Sequence, residues 1–291
     1  MNIKPYSYKF EPIRGYWFTS YLIKALMGAN GCLKCTLDLG LTYREVCIEG
    51  SVLKADKLEI NLDYVVPKEE DRVVILDEQG FAYEVIKRTN AGIYKLKAVA
   101  LNKAPTIEVS GIHMHRIVGT DPWSDALAKV NAARVFRGCT VLDTCTGLGY
   151  TAIASTLKGA REVYTFEVDE GVTWVASRNP WSHKLSSKAI KTFRGNVVEL
   201  VKALPNNYFH RVIHDPPRFT KSTGDLYSSD FYRELFRVTR PRGIIFHYTG
   251  EPLKHSNISL IKGIKERLDE AGFRVTYFSE RALGYIAVKP G

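Results

Sequence analysis

From the N-terminus to about residue 118, apolar and polar positions alternate in short runs separated by turn signals, the period of half-buried strands. Such runs span 44–48, 72–76, 81–86 and 93–99, and Asp77-Glu78-Gln79-Gly80 between the second and third predicts a hairpin turn. One helix is expected in this part, over 18–27. The pattern changes at Asp121-Pro122-Trp123-Ser124, where Asp121 has the make-up of an N-cap and Pro122 that of a first helical turn, with the helix running to about Phe136. Strand-like runs over 140–143, 162–168, 189–193, 209–214 and 243–248 then alternate with helical patterns. The last helical pattern places Ile258, Ile261, Ile264 and Leu268 on one face and stops at Gly272. Runs over 273–279 and 284–288 close the chain. The expected architecture is a small, mostly β domain over 1–118, followed over 119–291 by an α/β domain, a Rossmann-like parallel sheet with helices on both faces.

Composition narrows the class. Of 291 residues, 45% are hydrophobic and 25% charged, which excludes a disordered chain. Uninterrupted apolar stretches, such as Ala98–Leu101, are too short to span a bilayer, and MNIKPYSYKFEPIRG lacks the apolar core of a signal peptide. A soluble, cytoplasmic protein without a membrane partner is expected. The net charge of +10 favours polyanionic partners and disfavours polycationic substrates. Five cysteines at irregular spacing do not suggest a secreted disulfide framework. Cys32 and Cys35 make one Cys-x-x-Cys at the strand-like stretch CTLDLGL, and Cys47 lies twelve residues on. With no His or fourth Cys nearby to complete a zinc site, buried thiols and no metal are expected.

Three constellations carry chemistry. In VLDTCTGLGYTA (141–152) a strand delivers Asp143, and Gly147 and Gly149 let the backbone turn tightly against a ligand before a helix begins. Gly147-x-Gly149-x-x-Ala152 also fits a dinucleotide fingerprint, so an NAD enzyme stays open at this point. Glu167, with Val168 beside it, ends the strand EVYTFEV, where a carboxylate accepts hydrogen bonds from ribose hydroxyls; Asp169 competes for that role. The third is His214-Asp215-Pro216-Pro217-Arg218-Phe219, directly after the strand 209–214. Ligands bind beyond the carboxyl ends of parallel strands, so Asp143, Glu167 and Asp215 should converge on one crevice. Two prolines remove N–H donors and leave carbonyls. A carboxylate beside acceptor-only backbone suits an N–H₂ group, and a dehydrogenase has no evident need of one.

Taken together, Asp143-x-Cys145-x-Gly147-x-Gly149, Glu167 and Asp215-Pro216-Pro217 resemble the class I S-adenosylmethionine-dependent methyltransferases. The Asp-Pro-Pro segment is similar to the (Asn/Asp)-Pro-Pro-aromatic motif of enzymes that methylate exocyclic amines of nucleobases. More narrowly, DTCTGLGYTA, NPWS (179–182) and HDPPRF resemble archaeal predicted methyltransferases, and within them the makers of N4,N4-dimethylcytidine in ribosomal RNA. The resemblance implies S-adenosyl-L-methionine as cofactor, held by Asp143, Thr144, Gly147, Gly149, Tyr150, Glu167, Val168 and Asn196. It implies catalysis at Asp215, Pro216 and Pro217. Where the family has an aromatic residue this chain has Arg218, so Phe219 or the Arg218 guanidinium would stack on the base. Asn196 stands where a carboxylate often binds the adenine amine, and its amide oxygen can accept the same bond.

The implied partner is RNA, ribosomal RNA or a ribosomal particle. Arg178, Trp181, His183, Lys184, Lys188, Lys191, Arg194, Arg218 and Lys221 interleave charge and rings as a backbone-tracking groove does. Tyr227 and Tyr232 either wall a base pocket or pack, while His113, His115 and His247 are expected to be structural and Cys145 non-catalytic. Three other readings remain at this stage: an aminopropyltransferase, which joins a small β domain to the same fold; a protein glutamine N-methyltransferase; and a non-catalytic RNA-binding assembly factor.

Overall fold

The computed structural model describes residues 2–250 and 258–291. Its elements divide between two units, Glu11–Trp123 with Glu170–Lys184, and residues up to Phe10 with Ser124–Asp169 and Leu185–Gly291. In the first unit β1 (Gly15–Thr19) runs into helix α1 (Ser20–Leu26). There follow β2 (Gly31–Cys35), β3 (Arg44–Glu49), β4 (Val52–Ala55), β5 (Leu58–Asn61), β6 (Val73–Asp77), β7 (Ala82–Glu84), β8 (Ile86–Thr89), β9 (Gly92–Lys97), β10 (Thr106–Val109) and β11 (Ile112–His113). They form three antiparallel sheets, ordered β1-β6-β7, β2-β3-β4-β5 and β11-β10-β9-β8. Phe18, Leu22, Ile23, Ile48 and Leu53 belong to the core under them.

The helix expected over 18–27 starts only at Ser20. Phe18 is paired with Val74 in the β1–β6 ladder, and Thr19 caps the helix by accepting the Leu22 N–H at 3.2 Å. The hairpin turn forms as expected, with Asp77 Oδ1 accepting the N–H groups of Gln79 and Phe81, each at 3.0 Å. The expectation of buried thiols fails for Cys32 and Cys47. They face each other across β2 and β3 and are joined in a disulfide, Cys32 exposed and Cys47 half-buried. Strand register brings them together, and spacing along the chain does not display register. Cys35 and Cys139 are free and buried.

On β10, Glu108 accepts from Lys95 Nζ at 3.0 Å and Lys97 Nζ at 2.8 Å, and these ammonium groups pull its carboxyl down from 4.5 to about 2. The folded state therefore releases a proton that the unfolded chain still holds. This stabilisation is fully present above the ordinary carboxyl value and is lost as pH falls through about 2. Glu108→Gln should remove at most about 3 kcal/mol at neutral pH, and the difference from wild type should shrink toward zero in acid. Urea denaturation across a pH series checks it.

In the second unit α2 (Pro122–Ala132) precedes β12 (Thr140–Asp143), α3 (Tyr150–Leu157) and β13 (Glu162–Glu167). After α4 (Glu170–Ser177) come β14 (Ile190–Arg194), α5 (Val197–Leu200), β15 (Phe209–His214), α6 (Ser229–Val238), β16 (Thr239–Tyr248), α7 (Ile258–Glu270), β17 (Arg274–Ser279) and β18 (Gly284–Val288). The seven-stranded sheet is ordered β14-β13-β12-β15-β16-β18-β17, and β18 runs antiparallel to both its neighbours while the other pairs are parallel. This is the Rossmann-like α/β class expected. All four residues of β12 are buried, as a central parallel strand requires. The strand order reverses at β12, which puts the ligand crevice at the C-terminal ends of β12 and β15.

Boundaries differ where the backbone takes unusual turns. Helix α2 stops at Ala132, short of Phe136, because Arg134 adopts φ +52°. Strand β16 begins at Thr239, four residues before the expected start, through an irregular Arg240-Pro241-Arg242 stretch in which Arg242 has φ +62°. In α7, Ile261, Ile264 and Leu268 are buried, whereas the side chain of Ile258 lies outside the described residues.

Helix α4, with the turn after it, belongs to the first unit. It packs on β8 and β9, with Gly171 against the buried Tyr94 ring. The Asn-Pro-Trp-Ser turn is a structural lock. Asn179 Nδ2 donates to Ser182 Oγ at 2.8 Å, and Trp181 Nε1 donates to the Leu39 carbonyl at 3.0 Å. In the second unit the N-terminal arm closes the edge of β14. Ser7 bridges to Phe193, the Tyr8 N–H donates to the Thr192 carbonyl at 3.1 Å, and Thr192 Oγ1 donates to the Tyr8 carbonyl at 2.6 Å. No helix among the described residues is long and apolar enough to cross a membrane.

Candidate active site

The loop after β12 is tied to both flanking strands: the Thr144 N–H donates to the Ile213 carbonyl at 3.0 Å and the Thr146 N–H to the Phe166 carbonyl at 2.8 Å. Gly147 (φ +54°) and Gly149 (φ +79°) turn the chain into α3 in the left-handed region that favours glycine. A Cβ on Gly149 would lie 2.5 Å from the Leu185 side chain. Gly149→Ala is therefore strained twice, by its φ and by the clash. We expect a loss of about 2–3 kcal/mol of stability together with weakened cofactor binding, read by thermal denaturation and calorimetry.

Asp143 is fully buried beneath this loop. Its oxygens accept from Thr151 Oγ1 at 3.0 Å and Thr165 Oγ1 at 2.8 Å, and burial pushes the carboxyl up to about 8. Asp143 thus braces the loop from inside and presents no free carboxylate to the crevice. Thr144 is also buried, its hydroxyl 2.7 Å from His214 Nδ1, and Tyr150 is buried at the start of α3. Glu167 is better placed. Its Oε2 accepts the Gly147 N–H at 2.9 Å, and its Oε1 accepts those of Val168 and Asp169 at 3.0 and 2.9 Å. Three of roughly four accepting positions are thus taken, so a ribose offering two hydroxyls must displace a backbone donor. Burial pushes Glu167 up to about 7. Val168 next to it is 67% exposed, an apolar shelf at the crevice. Asn196 is exposed and caps α5, its Oδ1 accepting the Val198 N–H at 3.0 Å.

The Asp215 loop leaves the C-terminal end of β15, beside β12. Pro216 is buried; Pro217, Arg218 and Phe219 are exposed. The Pro217 carbonyl accepts the Tyr227 hydroxyl at 2.6 Å, and the Phe219 ring meets the Tyr227 ring edge-on at 5.4 Å. Tyr227 and Tyr232 are buried, so both pack. Behind the loop His214 and His247 lie with ring centroids 4.5 Å apart. His214 Nε2 donates to the Leu226 carbonyl at 2.9 Å; His247 Nδ1 donates to the Tyr248 carbonyl at 2.8 Å, and its Nε2 accepts the Tyr232 hydroxyl at 2.5 Å. Burial holds both rings neutral, His247 down to about 3.

One residue of the site escaped the sequence reasoning. Lys129 of α2 is buried, with Nζ 2.7 Å from Asp215 Oδ2 and 2.9 Å from Asp125 Oδ2. The signal was present: Asp125 and Lys129 stand four apart among alanines and Val130 in ALAKV, a helical stretch otherwise suited to burial. Burial raises the Asp215 carboxyl against the pull of Lys129, while the two carboxylates hold Lys129 well above the ordinary ammonium range.

The basic and aromatic residues divide. Lys188, Lys191, Arg194, Arg218 and Lys221 are exposed in the unit that carries the site. Arg178, Trp181, His183 and Lys184 lie in the other unit, where Arg178 is committed to packing, 3.9 Å from the Trp174 ring centroid with its Nε donating to Tyr83 Oη at 3.1 Å. His115 and His113 serve their own sheet, through Thr106 Oγ1 at 3.0 Å and Glu108 at 3.5 Å. No group of three or more His, Cys, Asp or Glu among the described residues could hold a metal ion.

No protein-family model matches the chain. It is 38% identical over 284 residues to the uncharacterized protein MJ1233 of Methanocaldococcus jannaschii, a match covering 94% of this chain and 96% of that protein. It is also 32% identical over 84 residues to the ribosomal protein L11 methyltransferase of Fusobacterium nucleatum, covering 29% of this chain and 27% of that enzyme. Among solved structures, spermidine synthase from Thermotoga maritima superposes with a TM-score of 0.54 at 16% identity, covering 99% of this chain and 84% of that one. Spermidine synthase in complex with the transition-state analogue AdoDATO superposes with a TM-score of 0.55 at 18% identity, covering 70% and 72%. At these identities the likeness to solved structures is one of fold. The fold shared with them is the Rossmann-like α/β fold, here with the sheet order β14-β13-β12-β15-β16-β18-β17. The glycine turn, the Glu167 carboxylate with Val168, and the Asn196 amide stand at the C-terminal ends of β12, β13 and β14.

Proposed function

We propose a function for a chain that belongs to the same family as the uncharacterized protein MJ1233 of Methanocaldococcus jannaschii. It is an S-adenosylmethionine-dependent N-methyltransferase acting on the exocyclic amine of a nucleobase in RNA, with N4 of a ribosomal cytidine as the sharpest assignment. The observation that carries this reading is the Asp215-Pro216-Pro217 loop at the end of β15, side by side with the glycine turn that follows β12.

The exocyclic nitrogen of cytosine delocalises its lone pair into the ring and is a weak nucleophile. Asp215 and the Pro216 carbonyl accept its N–H protons, which favours a pyramidal nitrogen whose lone pair is free to attack. The bound cofactor supplies the methyl group on a sulfonium. Asp215 would then take one N–H proton from the methylated nitrogen and pass it to water. Holding the amine in place supplies several kcal/mol of barrier reduction. Phe219, 53% exposed, and the Arg218 guanidinium are the stacking surfaces for the base. Tyr8, Lys9, Lys188 and Lys191 line a groove of about 320 Å³, and the Arg194 guanidinium lies 5.2 Å from the Tyr8 ring centroid. Rings and cations together support contact with a phosphate backbone, in bare RNA or a ribosomal particle.

An aminopropyltransferase is the second reading, favoured by a spermidine synthase likeness that spans 99% of this chain. Two observations oppose it: Asp215 is already paired with Lys129, and the charge of +10 repels polyamine cations. The test is transfer of labelled methyl from S-adenosylmethionine to RNA lacking the modification, followed by nucleoside mass spectrometry. Putrescine with decarboxylated cofactor is run in parallel. N4-methylated cytidine establishes the proposal, and label on another base corrects only the nucleotide. Aminopropyl transfer establishes the second reading. Label on ribosomal protein alone shifts the acceptor to a side-chain amide, and no transfer at all leaves a non-catalytic assembly factor.

A further inference from the structure

We infer that Lys129 is the positioning residue of the reaction, an internal counterion that holds the Asp215 carboxylate ionised and in one orientation toward a neutral N–H donor. The inference rests on the methyltransferase reading of the Asp215 loop. Lys129 Nζ lies 2.9 Å from Asp125 Oδ2, four residues earlier on α2, and 2.7 Å from Asp215 Oδ2 beyond β15. It also lies 4.1 Å from the centroid of the Tyr248 ring, at the end of β16. One ammonium thus ties together a helix and the ends of two neighbouring strands. The side chains of Lys129 and Asp125 are 5% and 1% exposed, whereas Asp215 keeps 21%. The pair is closed on the helix side and open on the crevice side.

Two consequences follow for chemistry. An ammonium has three donors and no acceptor, so both carboxylates it touches are held as acceptors. Asp215 commits Oδ2 to Lys129, which leaves Oδ1 as the oxygen for the incoming amine, in a direction set by packed elements and not by a mobile loop. The second consequence is selectivity. Two carboxylates and one ammonium sum to a single negative charge shared over the triad. A substrate ammonium at Oδ1 would also be repelled by the Lys129 ammonium, 2.7 Å from Oδ2 of the same carboxylate, and so gains less than at an unpaired carboxylate, while a neutral amine gains a charge-assisted hydrogen bond. The triad is built for a nucleobase or amide N–H₂ in preference to a polyamine.

The test compares Lys129→Met, which keeps the stem and removes the charge, with Lys129→Arg, which keeps a cation. Calorimetric S-adenosylmethionine affinity within about threefold of wild type establishes a folded site. The carboxyl carbon resonance that disappears in Asp215→Asn then reports the charge state of Asp215 with no substrate present. In K129M it should move from the ionised to the protonated position at neutral pH, and in K129R it should stay ionised. Single-turnover methyl transfer should fall about 10²-fold in kcat with KM for RNA unchanged, and K129R should recover at least about a tenth of wild-type kcat. An Asp215 still ionised in K129M, or a kcat within about threefold, overturns the inference. If K129M does not fold, Asp125→Asn, which removes one anchor and keeps the lysine, should leave the resonance at the ionised position and lower kcat about tenfold through lost orientation; a kcat within about threefold overturns the inference equally. A wild-type enzyme that methylates no RNA amine refutes the parent reading, and the resonance then decides the role of Lys129 by itself.

Discussion

Asp215→Ala should abolish most methyl transfer, by about 10²–10⁴-fold in kcat, while S-adenosylmethionine affinity stays within about threefold of wild type. Asp215 stands at the end of β15, where its carboxylate faces the crevice with one oxygen on Lys129 and the other open. The flanking Pro216 and Pro217 offer only carbonyl oxygens, which can accept an N–H hydrogen bond but cannot take the proton, so no neighbouring group in the loop replaces the lost carboxylate. Truncation also strands Lys129 beside Asp125 alone, and part of any loss in Asp215→Ala will be instability. Asp215→Asn separates the two effects. It keeps an accepting oxygen in nearly the same volume and should retain a few per cent of activity. Single-turnover rates on undermethylated RNA, beside thermal unfolding, make the measurement. If both variants transfer methyl at wild-type rates, Asp215 is not the acceptor.

The second large effect is expected at Glu167. Glu167→Ala removes the carboxylate proposed to accept the ribose hydroxyls and also frees the Gly147 N–H that Glu167 holds at 2.9 Å, so the glycine turn loses its tether. Hydrogen bonds to a charged group are worth about 1.5–3 kcal/mol each, so the dissociation constant for S-adenosylmethionine should rise about 10- to 100-fold. pH gives an independent check. Burial lifts this carboxyl to about 7, and only the ionised form accepts on both oxygens. Wild-type affinity should therefore weaken as pH falls through about 7, and Glu167→Gln should be nearly flat over the same range. Calorimetric titration at several pH values decides it. A wild-type profile that does not bend in that range would show that Glu167 does not carry the ribose.

The fold was legible where burial imposes a period. The all-buried β12, the alternation of strands and helices after it, and the Asp77–Gly80 hairpin follow from local pattern, as does the place of the glycine turn and the Asp-Pro-Pro loop at strand ends. What could not be read depends on partners far away in sequence. Cys32 meets Cys47 through strand register, and Phe18 joins a strand because Val74 pairs with it. Asp143 gives both oxygens to threonines, one of them 22 residues away on β13. Lys129 meets Asp215 across 86 residues. In each case the residue type is visible in the chain, and the partner that decides its role is visible only once the sheet has closed.

The N-terminal arm has a consequence for how the protein is made. Thr192 and Tyr8 are 184 residues apart, so the arm leaves the ribosome well before the strand it pairs with. At synthesis rates of about 5–20 residues per second the wait is on the order of 10–40 s. Most of the first unit, Glu11–Trp123, is translated within that interval. Its sheets can form before the arm finds β14. The edge of β14, by contrast, meets a waiting complementary strand as soon as it is exposed. The order of synthesis thus guards the β14 edge of this sheet against pairing with another nascent chain.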